Sequence, residues 1–161
     1  MTNREFYLER LKSDGPGFVK AVRAIPATAA GYRPHPKSRS AAELAGLFVA
    51  STNCALDLVE NRSAEWAHES AATDPAATAD ELEKAQKRLA ARVAELDGRA
   101  WSRKAQLRMG GQVAWSAPLG QMLWGFYFDA IHHRGQLSAY IRPAGGKVPS
   151  IYGPSGDDPG A

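Results

Sequence analysis

A carboxylate and an imidazole lie four positions apart near the C-terminal end of the chain, at Asp129 and His133. This spacing places two side chains on the same side of a helix, within reach of one ion or of each other. The neighbouring positions repeat at intervals of three and four, which predicts an inward-facing helical stripe. Its members are Leu119, Met122, Phe126, Asp129, His133, Gln136 and Tyr140. We therefore expect Asp129 and His133 to share a buried helix face.

Two kinds of chemistry suit this pair. Burying a carboxylate without a partner is costly, so a metal ion, a protonated imidazole or another helix must compensate the charge of Asp129. One nitrogen ligand and one oxygen ligand suit zinc, nickel, manganese or iron. Two ligands do not complete a metal site, however, and a hydrogen-bonded Asp129–His133 pair in the core needs no metal. The residues by themselves leave both interpretations open.

The remaining candidate ligands have simpler interpretations. His132 lies one position round the helix and is predicted at the surface or at an interface. His35 and His68 fall in connecting segments and are predicted to be exposed. Cys54 lies on an apolar stripe, which favours a small core residue over a thiolate ligand or nucleophile. The four tryptophans are interpreted as packing residues rather than as a ligand box: Trp66, Trp101, Trp115 and Trp124.

Two helices are predicted in the N-terminal half of the chain. The first covers residues 3–24, with a break at Gly15-Pro16-Gly17, because proline lacks a backbone donor and clashes with the preceding turn. A proline-rich connector follows. Ser40 and Glu43 then form a capping-box pattern, which predicts the start of a second helix that continues to about Glu60.

A third helix and a less regular segment come next. Thr78 or Asp80 can cap the third helix, which is predicted to end near Leu96. The connection between the second and third helices is long, so the two need not run antiparallel. Residues 99–115 contain a Gly110-Gly111 turn and fit either a short hairpin or an irregular loop.

The fourth helix carries the Asp129–His133 pair. It is predicted to begin at a Ser116 cap and to continue to about Ile141. From about residue 143 the chain is rich in glycine and proline, which predicts an irregular tail. With 161 residues, the chain is expected to form one domain over 1–161. Four helices in one domain predict an all-α four-helix bundle.

Composition excludes several classes of function. The 20 basic and 17 acidic residues give a net charge of only +3, so no nucleic-acid partner is expected. The single cysteine excludes a disulfide within the chain and a cysteine-rich zinc site, and it fits a reducing compartment. We find no stretch typical of a signal peptide or a membrane span. A cytoplasmic protein without a membrane partner is the expectation.

Several segments resemble the DinB-like superfamily of metal-dependent four-helix-bundle proteins, and the resemblance covers most of the chain. Its specific part is the string His132-His133-Arg134-Gly135-Gln136-Leu137 followed by the tail Gly146–Gly156. Weaker parts are Tyr32–Pro36 and the helix opening Ser40–Leu44.

The resemblance implies a bundle in up-down-down-up order that is often a homodimer. It also implies a divalent ion held by three histidines, one on the second helix and two that lie four residues apart on the fourth. His133 corresponds to the last of these, and Asp129 replaces the one before it. The second-helix position falls near Gly46, Leu47 or Phe48, none of which has a ligating side chain.

Two functions follow as expectations. The first is a DinB-like protein with an altered divalent-metal site at Asp129 and His133. It would be a metal-dependent hydrolase or a thiol-dependent transferase that acts on a small molecule with a low-molecular-weight thiol. The second is a non-catalytic module, small-ligand-binding or stress-associated, that has lost the metal. The retained pair favours the first function, and the missing second-helix ligand favours the second.

Overall fold

The computed structural model describes residues 1–66, 71 and 74–160. Within them lie the helices α1 (Asn3–Arg23), α2 (Ala41–Asn61), α3 (Pro75–Ala94), α4 (Gly98–Ser102) and α5 (Leu119–Ile141). The strands are β1 (Ser63–Glu65), β2 (Lys104–Met109) and β3 (Gln112–Pro118), and a short 3₁₀ turn spans Ala27–Ala29. Residues 142–160 form neither helix nor strand, as predicted for the tail.

Side-chain caps determine where the two N-terminal helices begin. The hydroxyl of Ser40 accepts a hydrogen bond from the Glu43 backbone N–H, and the Glu43 carboxylate accepts one from the Ser40 N–H. This reciprocal pair confirms the predicted capping box of α2. Thr2 and Glu5 form an equivalent box at the start of α1. Each box thereby satisfies two backbone N–H groups at the start of its helix.

Two predicted helix starts are wrong. The cap of α3 is Asp74, whose carboxylate accepts from two backbone N–H groups, so the helix begins at Pro75 rather than after Thr78 or Asp80. Proline is favoured at a first helical position because that N–H has no intrahelical partner. The start of α5 is Leu119, since Ser116 lies within a strand.

The break predicted at Pro16 is also wrong, because α1 continues through it without interruption. Pro16 lies on the exposed side of the helix, where solvent can hydrate the carbonyl that loses its partner. The flanking Gly15 and Gly17 are buried and face other elements: a Cβ on Gly15 would lie 3.0 Å from the Gln86 side chain. Packing along this face keeps α1 continuous despite the free-energy cost of a proline inside a helix.

A small sheet accompanies the helices, so the prediction of an all-α fold is incomplete. The three strands are arranged in the order β1-β2-β3, with β1 parallel to β2 and β2 antiparallel to β3. Of the two alternatives for residues 99–115, the structure therefore has the hairpin, although the short helix α4, which we did not predict, precedes it. Gly110 and Gly111 form its turn with φ angles of 57° and 75°, as a two-residue connection between twisted strands requires.

The four long helices share a core. Helices α1 and α2 each contact both α3 and α5. Their largest fully buried side chains include Tyr7, Leu44, Leu58, Leu82, Leu119, Met122, Leu123, Leu137, Ile141, Val22 and Val93. Burying each aliphatic side chain of this size contributes about 1.5–3 kcal/mol. The up-down-down-up bundle topology stays a prediction.

Helix α2 is the most apolar of the described helices. By length and hydropathy it would be able to cross a membrane, but 67% of its apolar window is buried inside the protein. Burial against α3 and α5 accounts for this composition, as in the central helix of a core.

Candidate functional site around Asp129 and His133

The buried face of α5 agrees only in part with the predicted stripe. Its buried residues are Leu119, Gly120, Met122, Leu123, Tyr127, Arg134, Leu137, Tyr140 and Ile141. Leu119, Met122 and Tyr140 of the predicted stripe are buried as expected. In its middle part, however, the His133 side chain is 15% exposed and the Asp129 side chain is 55% exposed. The expectation that Asp129 is buried is therefore wrong. The two side chains nevertheless lie on the same side of the helix.

Asp129 and His133 face each other across one helical turn. The distance from Nε2 of His133 to Oδ1 of Asp129 is 3.5 Å, longer than an ordinary hydrogen bond. The other ring nitrogen, Nδ1, lies 3.0 Å from Oε1 of Gln136. The Gln136 amide in turn donates to the Tyr140 hydroxyl at 3.0 Å. Because an amide oxygen can only accept, Nδ1 is the donor in this hydrogen bond, and Nε2 is the ring nitrogen on the Asp129 side.

This geometry fits two ligands of one divalent cation. Zinc binds nitrogen and oxygen ligands at about 2.0–2.2 Å, so two ligands at a tetrahedral angle lie about 3.4 Å apart. The 3.5 Å separation of Nε2 and Oδ1 matches this value. The hydrogen bond to Gln136 is the kind of support that orients a metal-bound histidine.

The protein supplies only part of a coordination shell. Among residues 1–66, 71 and 74–160, no group of three His, Cys, Asp or Glu side chains is placed to hold a metal ion. On α2, Leu47 and Phe48 are buried apolar residues of the core. Asp129 and His133 therefore offer two ligands, and the remaining positions would be open to water or substrate.

A groove beside Asp129 lies between the sheet and α5, and we call it the sheet–α5 groove. It has a volume of about 280 Å³ and is lined by Trp66, Leu107, Met109, Trp115, Gly125, Phe126 and Asp129. The Phe126 ring lies 6.2 Å from the Trp66 ring and 6.4 Å from the Trp115 ring, between centroids. Asp129 thus belongs both to the candidate metal pair and to an open aromatic groove.

The other two tryptophans pack as predicted. The indole N–H groups of Trp101 and Trp124 both donate to Oδ1 of Asn3, at 3.2 and 3.0 Å. The rings of both also contact Tyr7. These indoles secure the start of α1 against the rest of the core.

A second polar cluster surrounds Asp14 on α1. Its carboxylate accepts hydrogen bonds from Arg10, from the Tyr127 hydroxyl and, at 3.3 Å, from the Tyr152 hydroxyl. Burial by itself raises the pKa of Asp14, but the hydrogen bonds from Arg10 and Tyr127 outweigh burial and keep the pKa below its ordinary value. Asp14 is 5% exposed and is charged at neutral pH.

Arg134 is the buried polar residue of α5 that our sequence interpretation missed. It is 4% exposed, and its Nη1 atom has no hydrogen-bond partner among the described residues. Its guanidinium lies over the rings of Phe18 and Tyr152, with Cζ at 4.5 and 4.6 Å from their centroids. Its burial was indicated by its spacing, because it lies seven residues after Tyr127 and three before Leu137, both of which are buried.

His132, His35 and Cys54 lie where we predicted them. His132 and His35 are exposed, whereas His68 is outside the described residues. Cys54 is buried in the core, and burial raises the pKa of its thiol to about 12. A thiol with such a pKa is a core residue and not a nucleophile at neutral pH.

The sequence string that contains Arg134 and the tail that contains Tyr152 lie together in this region, since the Tyr152 ring lies over the Arg134 guanidinium. The model of the DinB family matches residues 11–159. The chain belongs to the DinB family. A crystal structure of a DinB-like protein from Bacillus subtilis has the same fold, with a TM-score of 0.69 at 20% sequence identity. The similarity covers 86% of this chain and 92% of that protein. No curated protein sequence matches the chain.

Proposed function

We propose that this DinB-family protein binds a divalent cation, such as zinc, nickel, manganese or iron, through Asp129 and His133. On this proposal it acts as a metal-dependent hydrolase or as a thiol-dependent transferase for a small molecule. The observation that carries the proposal is the 3.5 Å separation of Nε2 and Oδ1, with the opposite ring nitrogen held by Gln136. The proposal includes an up-down-down-up bundle, a homodimer and a cytoplasmic location, to which the free Cys54 is suited.

Each residue has a distinct part in the proposed site. His133 provides a neutral nitrogen ligand, and Asp129 provides an oxygen ligand that also lowers the net charge at the site. Gln136 orients the imidazole, and Tyr140 orients Gln136. A bound cation would supply the acidity that converts water or a thiol into a nucleophile near neutral pH. The exposure of Asp129 leaves room for a substrate from the solvent side.

Metal analysis of tag-free protein tests the proposal. We expect the wild-type protein to bind close to one equivalent of zinc, nickel or manganese by calorimetry and elemental analysis after dialysis. His133→Ala and Asp129→Ala should lose this binding, whereas Gln136→Ala should weaken it by about 10–100-fold. His132→Ala is the matched control, because His132 is the exposed neighbour on the same helix. Absence of binding in the wild-type protein, even with metal added, would refute the metal site.

The second candidate is the non-catalytic small-ligand-binding or stress-associated module. It is favoured by the lack of a third ligand among the described residues and by the open sheet–α5 groove. If the wild-type protein binds no metal but a ligand occupies the groove, this candidate replaces the first. Hydrolysis or thiol transfer that depends on added metal and disappears in His133→Ala would instead exclude it.

A further inference from the structure

We propose that the sheet–α5 groove binds a small organic ammonium ion, with Asp129 as its counter-ion and aromatic rings as its walls. This binding does not depend on the metal site, although both use the Asp129 carboxylate. The proposed ligand is a compact cation with an apolar surface, such as a quaternary ammonium head group.

The first support is the arrangement of the aromatic rings. Trp66 follows strand β1, and its backbone N–H donates to the carbonyl of Arg108 on β2. Trp115 lies on β3 directly opposite Leu107. Both indoles contact the Phe126 ring of α5 from the sheet side, and all three rings keep part of their surface exposed. Electron-rich ring faces of this kind attract cations, tryptophan most strongly.

The second support is the charge of the groove. Of the described residues that line it, Asp129 is the single charged one, and the others are aromatic, aliphatic, sulfur-containing or glycine. An anionic ligand would meet the carboxylate unfavourably. A neutral apolar ligand would gain no attraction from the carboxylate. A cation with an apolar surface satisfies both the rings and Asp129.

The third support is that the groove is built into the fold. A Cβ at Gly125 would lie 2.6 Å from Cη2 of Trp115, so glycine at this position is what admits the indole against α5. The volume of about 280 Å³ is at the small end for ligand pockets and suits a head group with a short chain.

The two cations should compete for Asp129. A divalent ion coordinated by Asp129 and His133 reverses the local charge, so added zinc should weaken ammonium binding. His133→Ala should remove zinc binding and this competition, while ammonium binding remains. The failure of one site is thereby distinguishable from the failure of the other.

Choline and benzyltrimethylammonium are suitable probes, measured by calorimetry and by quenching of tryptophan fluorescence. The neutral control is 3,3-dimethylbutan-1-ol, which has the shape of choline without its charge. We expect choline to bind at least about tenfold more tightly than this alcohol. Equal affinity for the two, or no binding of either ammonium probe at millimolar concentration, would overturn the proposal.

Variants of the groove locate the binding site. Asp129→Asn and Trp115→Leu should each weaken choline binding by about tenfold or more. Asp57→Asn, which removes an exposed carboxylate of α2 outside the groove, should leave it unchanged. If Trp115→Leu fails to fold, Asp129→Asn decides the outcome, because its side chain is 55% exposed and tolerates substitution. Unchanged choline affinity in Asp129→Asn contradicts the proposal.

Discussion

The phenol ring of Tyr152 lies over the guanidinium of Arg134, with 4.6 Å between Cζ and the ring centroid. Tyr152 belongs to the irregular tail, whereas Arg134 is on the buried face of α5. The Phe18 ring also contacts this guanidinium, with 4.5 Å between Cζ and the ring centroid. Two ring faces thus compensate a buried cation whose Nη1 has no hydrogen-bond partner among the described residues. This contact attaches the tail to the helices.

Removing the ring of Tyr152 should therefore destabilise the protein. We expect Tyr152→Leu to lower the free energy of unfolding by about 1–2 kcal/mol, because the cation loses one of its two π faces. Tyr152→Phe retains the ring and should lose less than half as much. Urea unfolding followed by circular dichroism measures both. Equal losses in the two variants would show that the hydroxyl bond to Asp14, and not the ring, makes the contribution.

The Asp14 cluster should make stability depend on pH in the acid range. The pKa of Asp14 is lower in the folded protein than its ordinary value of 3.8, because the hydrogen bonds from Arg10 and Tyr127 outweigh burial. Such a group contributes stability that is present above the unfolded pKa and is lost as the pH falls through the folded pKa. We expect Asp14→Asn to cost about 3 kcal/mol at pH 7 and progressively less below about pH 4.

Urea unfolding of the wild-type protein and of Asp14→Asn between pH 2.5 and pH 7 measures this difference. Asp57→Asn, at an exposed position of α2, serves as the control for removal of one charge. A difference between wild type and Asp14→Asn that stays constant down to the lowest pH would contradict the assignment.

Two glycines of α5 should respond to alanine in opposite directions. A Cβ at Gly120 would overlap the buried indole of Trp101, so Gly120→Ala should destabilise the protein by about 1–3 kcal/mol. Gly135 is exposed and has no atom within 4 Å of the position of a Cβ. Gly135→Ala should stabilise the protein by about 0.5–1 kcal/mol, because alanine loses less backbone entropy in a helix. Thermal unfolding compares the pair, and a stabilising Gly120→Ala would refute the contact.

Cys54 should be unreactive in the native protein. It is 5% exposed, and burial raises the pKa of its thiol to about 12. At neutral pH the thiol is therefore neither accessible to a reagent nor ionised. We expect no reaction with Ellman's reagent at pH 8 until urea unfolds the chain, and then one equivalent. Rapid labelling without denaturant would show that α2 opens or that the thiol is activated.

The sequence by itself determined the features that depend on neighbouring residues. Ser40 and Glu43 satisfy each other's backbone donors, so the start of α2 follows from two residue types at one spacing. Gly110 and Gly111 allow the positive φ angles of a tight turn, and this is why a hairpin was one of the two predictions for their segment. The spacing of Asp129 and His133 was also sufficient to predict that both lie on one side of a helix, as they do.

Only the tertiary structure decided which side of α5 is buried. Apolar and aromatic residues lie all round this helix at Leu123, Trp124, Phe126, Tyr127 and Phe128, so intervals of three and four fit two neighbouring stripes equally well. Packing against α1 and α2 selects the stripe with Tyr127 and leaves Asp129 exposed.

Contacts between distant segments decided the rest. Strand β1 has three residues and no recognisable pattern, and it forms because β2 provides parallel partners more than forty positions along the chain. Helix α1 continues through Pro16 because its buried face packs on other elements while the proline faces solvent. Arg134 is buried because Phe18 and Tyr152, far from it in sequence, provide the faces that compensate its charge. Local spacing contains none of these partners, so only the folded chain reveals them.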